Sequence, residues 1–324
     1  MSSGAVGAAA GRWFRRPVRL LAACHPAPAA AVTLFGAALA AAAGRPVGAV
    51  LLTGAAVAAG QLSIGWSNDR IDLARDTAAG RADKPLARGA LAPRTVGTAA
   101  AVALAAAVPL SLACGPRAGA AHLAGVAAGW AYNLRLKGTL FSWLPYALAF
   151  GLLPAFATAP PGAPLPPWWV TAAAALLGCG AHFANVLPDI AADRAAGVLG
   201  LPQRLGPRAS AACASACMAA ATAVLVLGPG RPLGPLDALV LALAAGAALL
   251  APAVPGRGPF LVAIAVAALD VALLLGRGLP PPADRARPCP RPDSNSLAPW
   301  RRGRQSPDRA GTARSALRRL APVA

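Results

Sequence analysis

The sequence predicts an all-α polytopic membrane bundle of about nine transmembrane helices, followed by a disordered C-terminal tail. Three observations predict it. Of the 324 residues, 57% are hydrophobic and only 13% charged, whereas ordinary soluble domains carry about 25% charged residues. The apolar residues gather into runs of roughly twenty, the length that crosses a hydrocarbon layer at about 1.5 Å of rise per residue. The runs lack the ten-residue alternation of a membrane barrel. A chain in lipid must satisfy its own backbone hydrogen bonds, so helix is the state left to them. This composition excludes a disordered chain, a coiled coil and an ordinary soluble enzyme.

The elements follow in order. Residues 1–20 form a basic N-terminal segment carrying Arg12, Arg15, Arg16 and Arg19. The first apolar run, 25–44, is long enough to span and others follow it, which is not the pattern of a cleaved signal peptide. The second, 46–66, leads straight into a cluster of acids. Runs at 93–113, 118–134 (the shortest) and 139–158 come next. The sixth, 168–187, leads into a second acid cluster. Runs at 209–228, 235–253 and 259–276 complete a membrane domain over 21–277. Alanine is only mildly apolar, so Leu, Val, Phe and Trp supply most of the insertion energy. Residues 278–324 are rich in Pro and Arg and have no apolar period, the signature of disorder.

Charge sets the expected orientation. Basic residues stay on the cytoplasmic side. With the N-terminus inside, the inner segments hold sixteen Arg and Lys, and the outer loops hold three: Arg45, Arg117 and Arg231. The net charge of +19 therefore reads as membrane topology and Arg-rich codon usage. No nucleic-acid partner and no protein partner are expected, only the lipid bilayer. The six cysteines show no metal-ligand spacing and read as small apolar filler.

The acids are the informative residues. All eleven are Asp, and there is no Glu. Upstream of the tail, six of eight fall into two short clusters, each at the cytoplasmic end of an apolar run. The first reads "NDRIDLARDTAAGRADKPLARGAL" from Asn68. Its Asp69, Asp72 and Asp76 are spaced i, i+3, i+7, one face of a helix, with Asn68 adjoining. The second reads "HFANVLPDIAADRAAG" from His182. Its Asn185, Asp189 and Asp193 are spaced i, i+4, i+8, and Pro188 predicts a break in the helix there. Two carboxylate faces in a low-dielectric bundle repel unless a cation neutralises them. Asp and Asn oxygens are hard ligands suited to Mg²⁺, which also binds substrate phosphates. The absence of Cys and of a second His argues against zinc. Arg70, Arg75, Arg81, Lys84, Arg88 and Arg194 are interleaved with the acids. They read either as cytoplasmic loop charge or as clamps on a diphosphate.

These residues resemble a known family. "NDRIDLARD" resembles the N-D-x-x-D-x-x-x-D motif of UbiA-type intramembrane prenyltransferases. "NVLPDIAAD" with Gly197 downstream resembles their second motif. "YNLRLKGT" is similar to the tract after their fourth span and contributes Tyr132, Asn133 and Lys137. "DKPLARGAL" resembles a segment that usually carries Arg where this chain has Lys84. The resemblance covers about 20–277 and leaves the tail without a counterpart. It implies ionisation of an allylic polyprenyl diphosphate, assisted by Mg²⁺, and capture of the cation by an acceptor, commonly aromatic in this family. It assigns catalysis and metal binding to Asp69, Asp72, Asp76, Asp189 and Asp193, with Asn68 and Asn185 as further metal oxygens. It assigns substrate binding to Asn68, Arg70, Arg81, Lys84, Arg88, Tyr132, Asn133, Lys137, Asn185 and Arg194. Trp66, Trp130, Tyr132, Phe141, Trp143 and Tyr146 read either as π faces for the cation or as packing. His182 reads as an acceptor-orienting group or as a packed neutral imidazole. Asp270 sits alone in the ninth run. Two other readings stand beside transfer: a membrane terpene cyclase of the same fold, and a cation transporter with paired Asp sites at a broken helix.

Two outcomes are expected. Reporter fusions after Arg81 and after Arg204 should report the cytoplasm, and one after Pro161 the outside. An Arg81 fusion active only outside reverses the orientation. Truncation after Gly278 should leave expression and turnover within about twofold of the full chain, or about 0.4 kcal/mol. Loss of turnover in a normally inserted truncation makes the tail a working arm.

Overall fold

A computed structural model describes residues 17–159, 162, 164–253 and 258–276. Among them every regular element is helical. A short helix α1 (17–22) precedes α2 (Pro26–Ala42), α3 (Val47–Ala78), α4 (Pro93–Ala113), α5 (Pro116–Leu134), α6 (Leu144–Thr158) and α7 (Trp168–Val186). Two short helices, α8 (Ile190–Ala195) and α9 (Leu201–Leu205), lead to α10 (Pro207–Leu227), α11 (Pro235–Leu250) and α12 (Gly258–Gly276). A helix occupies each of the nine apolar runs. Four segments are long and apolar enough to cross a membrane by length and composition: Val47–Ala78, Pro93–Ala113, Trp168–Ala195 and Pro207–Leu227. The basic stretch 1–16, Arg257 and the tail 278–324 lie outside the described residues.

Local chemistry sets the ends. Proline opens α2, α4, α5, α10 and α11, where its missing N–H costs nothing and its φ is already helical. The two acid-bearing segments both stop on a left-handed glycine, Gly80 at φ 64° and Gly197 at φ 76°, a conformation that L side chains resist. The expected break at Pro188 is present. Helix α7 ends at Val186, one 3₁₀ turn covers Leu187–Asp189, and α8 resumes at Ile190.

Helix α3 packs on α2 and α4, α6 on α5 and α7, and α10 on α7 and α11. Helices α3 and α5 run parallel: Gly60 meets His122, Ile64 meets Gly129 and Asn68 meets Asn133. The bundle is solid at the end remote from the acids, where Leu39, Val57, Leu153, Phe156, Val170, Leu177 and Leu225 form one buried cluster. A second cluster of Trp66, Leu86, Leu91 and Val96, backed by Leu20, ties the loop after α3 to the bundle.

One contact fixes the entry to the acid-bearing end. The bend between α1 and α2 sits in a notch on α3 made by Gly65. A Cβ there would lie 2.2 Å from the backbone oxygen of Cys24. Gly65→Ala is therefore expected to lower stability by about 1–3 kcal/mol, the cost of overpacking a fixed contact. Thermal unfolding in detergent measures it, and an unchanged midpoint removes the notch from the account.

Candidate active site

Both acid clusters face one cavity of about 630 Å³ at the end of the bundle opposite the solid core. From α3 it is lined by Asn68, Asp72, Arg75 and Asp76, and from the following loop by Arg81 and Lys84. Tyr132 and Asn133 enter from α5, Lys137 from the next turn, and Tyr146 from α6. Asn185, Asp189, Asp193 and Gln203 close the far side. Deeper in, the wall turns apolar, with Val57, Ile64, Val126, Phe150 and Leu153. Val57 and Leu153 also belong to the buried cluster, so the solid half of the bundle is the cavity's floor. The wall includes Ala31 on α2 and Ile264 on α12, both exposed.

The first cluster is neutralised from within. Asp69, Asp72 and Asp76 are all buried. The Lys84 ammonium donates to Asp76 Oδ2 at 2.8 Å and lies 3.1 Å from Asp69 Oδ1. Arg75 Nη2 donates to Asp72 Oδ2 at 2.5 Å, and Lys137 donates to Asp72 Oδ1. Burial works against the Lys84 charge, but the two carboxylates outweigh it and hold its pKa above the ordinary lysine value. For Lys137 burial wins over the support of Asp72, and its pKa lies below the ordinary value. At the surface, the hydrogen bonds from Arg81 pull Asp83 down to about 2.

Asp69 shares Lys84 with Asp76. It does not line the cavity. The α1–α2 bend, seated in the Gly65 notch one turn below, closes over it and places His25 Nε2 3.2 Å from Asp69 Oδ1. His25 itself reaches the cavity, in a left-handed backbone conformation with φ 55°. It is the one non-glycine residue with positive φ among the described residues.

Asn68 and Asn133 are locked together. Asn133 Nδ2 donates to Ile64 O at 2.9 Å and Ser67 Oγ at 2.8 Å, and its Oδ1 accepts from Asn68 Nδ2 at 3.1 Å. The Asn68 carbonyl oxygen is thereby left for the cavity. Tyr132 and Tyr146 stand edge to face, their ring centroids 5.3 Å apart. Of the six aromatics considered in the sequence, these two line the cavity. Trp66 donates to Leu20 O, Trp130 donates to Ser63 Oγ, Trp143 packs near α10 and Phe141 is exposed.

Other expected residues lie elsewhere. Arg70 and Arg88 are exposed and outside the lining. Arg194 donates to the backbone oxygens of Gln203 and Arg204. His182 is buried against Ser142, 3.1 Å from its Oγ, behind the tyrosines. Asp270 has a partner after all: Thr222 donates to its Oδ1 at 2.6 Å. Gln203 and His25 escaped the sequence reading, since neither sits in an acid cluster and their partners are ten and 44 residues away.

The donor set suits a hard divalent cation. Four carboxylates and the Asn68 and Asn185 amides line one cavity, and the buried Gln203 Oε1 has no hydrogen-bond donor. No three acidic, His or Cys side chains converge on one point among the described residues. Mg²⁺ takes one or two carboxylates and completes its shell with water and substrate phosphates.

Comparison with known proteins places the fold. The family model described as the UbiA prenyltransferase family matches residues 29–276. No curated protein matches the sequence significantly. Among solved structures, a UbiA homologue from Archaeoglobus fulgidus bound to GPP and Mg²⁺ is similar, with TM-score 0.61 and 17% identity. The match covers 79% of this chain and 97% of that one. The apo UbiA homologue from Aeropyrum pernix K1 gives TM-score 0.61 at 22% identity, covering 76% and 97%. A structure of digeranylgeranylglyceryl phosphate synthase gives 0.60 at 16% identity, covering 81% and 96%.

Proposed function

The chain belongs to the UbiA prenyltransferase family, and we propose that it transfers a polyprenyl group from an allylic diphosphate to an acceptor, aromatic as in the commonest members. The observation that carries this reading is the cavity itself. Scarce acids from two distant segments meet cationic side chains at one end of it, and an apolar shaft leads away to a closed floor.

Asp72, Asp76, Asp189 and Asp193, with the Asn68 and Asn185 carbonyls, are the residues that would hold Mg²⁺. When bound, Mg²⁺ supplies positive charge to the oxygens of the leaving diphosphate. Arg75, Arg81, Lys84 and Lys137 surround the same volume and bind the remaining oxygens by charge-assisted hydrogen bonds. Asp69 serves from behind, anchoring Lys84 and His25. The Tyr132 and Tyr146 rings stand at the junction of the polar and apolar halves, where an allylic cation forms and where π faces stabilise it. Val57, Val126, Phe150 and Leu153 receive the prenyl chain and exclude water, which would quench the cation. The exposed wall at Ala31 and Ile264 supports entry of apolar substrates from lipid. The acid-bearing end faces the cytoplasm by the distribution of basic residues.

The solid core below the cavity speaks against passage of a cation through the bundle. In membranes carrying the full chain, labelled geranyl or geranylgeranyl diphosphate should be consumed with an aromatic acceptor to give a prenylated adduct. EDTA should abolish turnover and Mg²⁺ or Mn²⁺ restore it. Asp72→Ala, Asp76→Ala, Asp189→Ala and Asp193→Ala should each lose about a hundredfold or more, with membrane insertion intact. Full turnover in EDTA ends the metal role, and a cyclised hydrocarbon formed without acceptor replaces transfer by cyclisation.

A further inference from the structure

The two acid clusters are neutralised unequally. The first holds Lys84, Lys137 and Arg75 against its carboxylates. Asp193 in the second makes no ion pair among the described residues. Its hydrogen bond comes from a neutral amide: Gln203 Nε2 donates to Asp193 Oδ2 at 2.8 Å.

Gln203 is built in firmly. Its side chain is 3% exposed. Its backbone oxygen accepts from Arg194 Nε at 2.5 Å, and the neighbouring Pro202 oxygen accepts from Ser210 Oγ at 2.9 Å. The absent Cβ of Gly200 leaves room for the amide, since a Cβ there would stand 2.7 Å from Gln203 Oε1 and 2.4 Å from Lys137 O. The amide has one sensible orientation: turned over, it would set its oxygen against the carboxylate. It holds that orientation although Oε1 is left without a donor. The hydrogen bond to Asp193 therefore decides the rotamer.

Resting on the prenyl-transfer reading, we propose that Gln203 is a positioning residue that orients Asp193 toward the divalent cation without neutralising it. One carboxylate oxygen is tied to the amide, and the partner that ties it is uncharged. A cationic side chain in the same place would do for Asp193 what Lys84 does for Asp76, and would compete with the metal. Partners that orient a metal-binding side chain typically change metal affinity 10- to 100-fold when removed.

The test uses the purified full chain in nanodiscs, with Mn²⁺ binding read from the free-Mn²⁺ EPR signal and no turnover required. Gln203→Met, similar in size and without a donor, should weaken Mn²⁺ binding about 10- to 100-fold. Gln203→Lys should remove binding at the Asp193 side altogether, with the unfolding midpoint unchanged. On an Asp193→Asn background, Gln203→Met should add nothing. Wild-type affinity in Gln203→Met, or a further loss on the Asp193→Asn background, overturns the assignment and leaves Gln203 as packing. If the wild-type chain binds no Mn²⁺ even with geranyl diphosphate present, both this assignment and the metal reading fail.

Discussion

A carboxylate inside a membrane bundle must find positive charge, and most of this structure follows from how that demand is met. Unpaired burial of an ion is costly enough that proteins pair it, hydrate it or protonate it. Of three buried aspartates on α3, Asp72 is met by Arg75 and Lys137, and Asp69 and Asp76 by a loop that must fold back on the helix that precedes it. Gly80 makes the reversal, and Leu86 and Leu91 anchor the loop in the bundle through the cluster around Trp66. Lys84 then reaches two carboxylates at once. In the second cluster Asp193 is met by the neutral amide of Gln203, so no side chain does there what Lys84 does for the first.

The same bundle has to be hollow at one end and solid at the other. Lipid gives helices little hydrophobic reason to associate, so close packing of small residues and internal hydrogen bonds carry the association. Gly60, Gly125 and Gly129 let α3, α5 and α6 approach until neighbouring side chains touch. At the acid end the asparagine pair ties α5 to α3 and the tyrosine pair stands between α5 and α6. Polar groups there are satisfied sideways, between helices, and a lined space remains.

Much of this was legible in the sequence. Apolar run length marked the helices, because lipid leaves the backbone no other choice. Scarcity made the aspartates conspicuous, and their helical spacing grouped them. Pro188 marked its own break. What was not legible depends on contacts distant in sequence. The i, i+3, i+7 spacing put Asp69 with Asp72 and Asp76, but nothing in that spacing shows that Cys24 and His25 would close over it through a notch at Gly65. Arg70, Arg88 and Arg194 looked equivalent to Arg75, Arg81 and Lys84, because a charge pattern does not say which cations turn inward. His182 sat one turn from Asn185, yet packing against Ser142 withdrew it from the cavity.

The fold persists in relatives of 16–22% identity, so this chain's own chemistry resides in what it places on that frame. Lys84 stands where the family resemblance expects arginine, and the geometry gives the difference a meaning. An arginine fork suits one carboxylate, gripped in two places and in one plane. A lysine ammonium is a point charge with three donors, and here it lies between Asp69 and Asp76, 3.1 and 2.8 Å from their oxygens. One point charge thus serves two carboxylates that point at it from the same helix. Gln203 complements it at the facing cluster, orienting a carboxylate while leaving its charge unmet. One acid cluster is thus met by a point charge, and the other by a neutral amide.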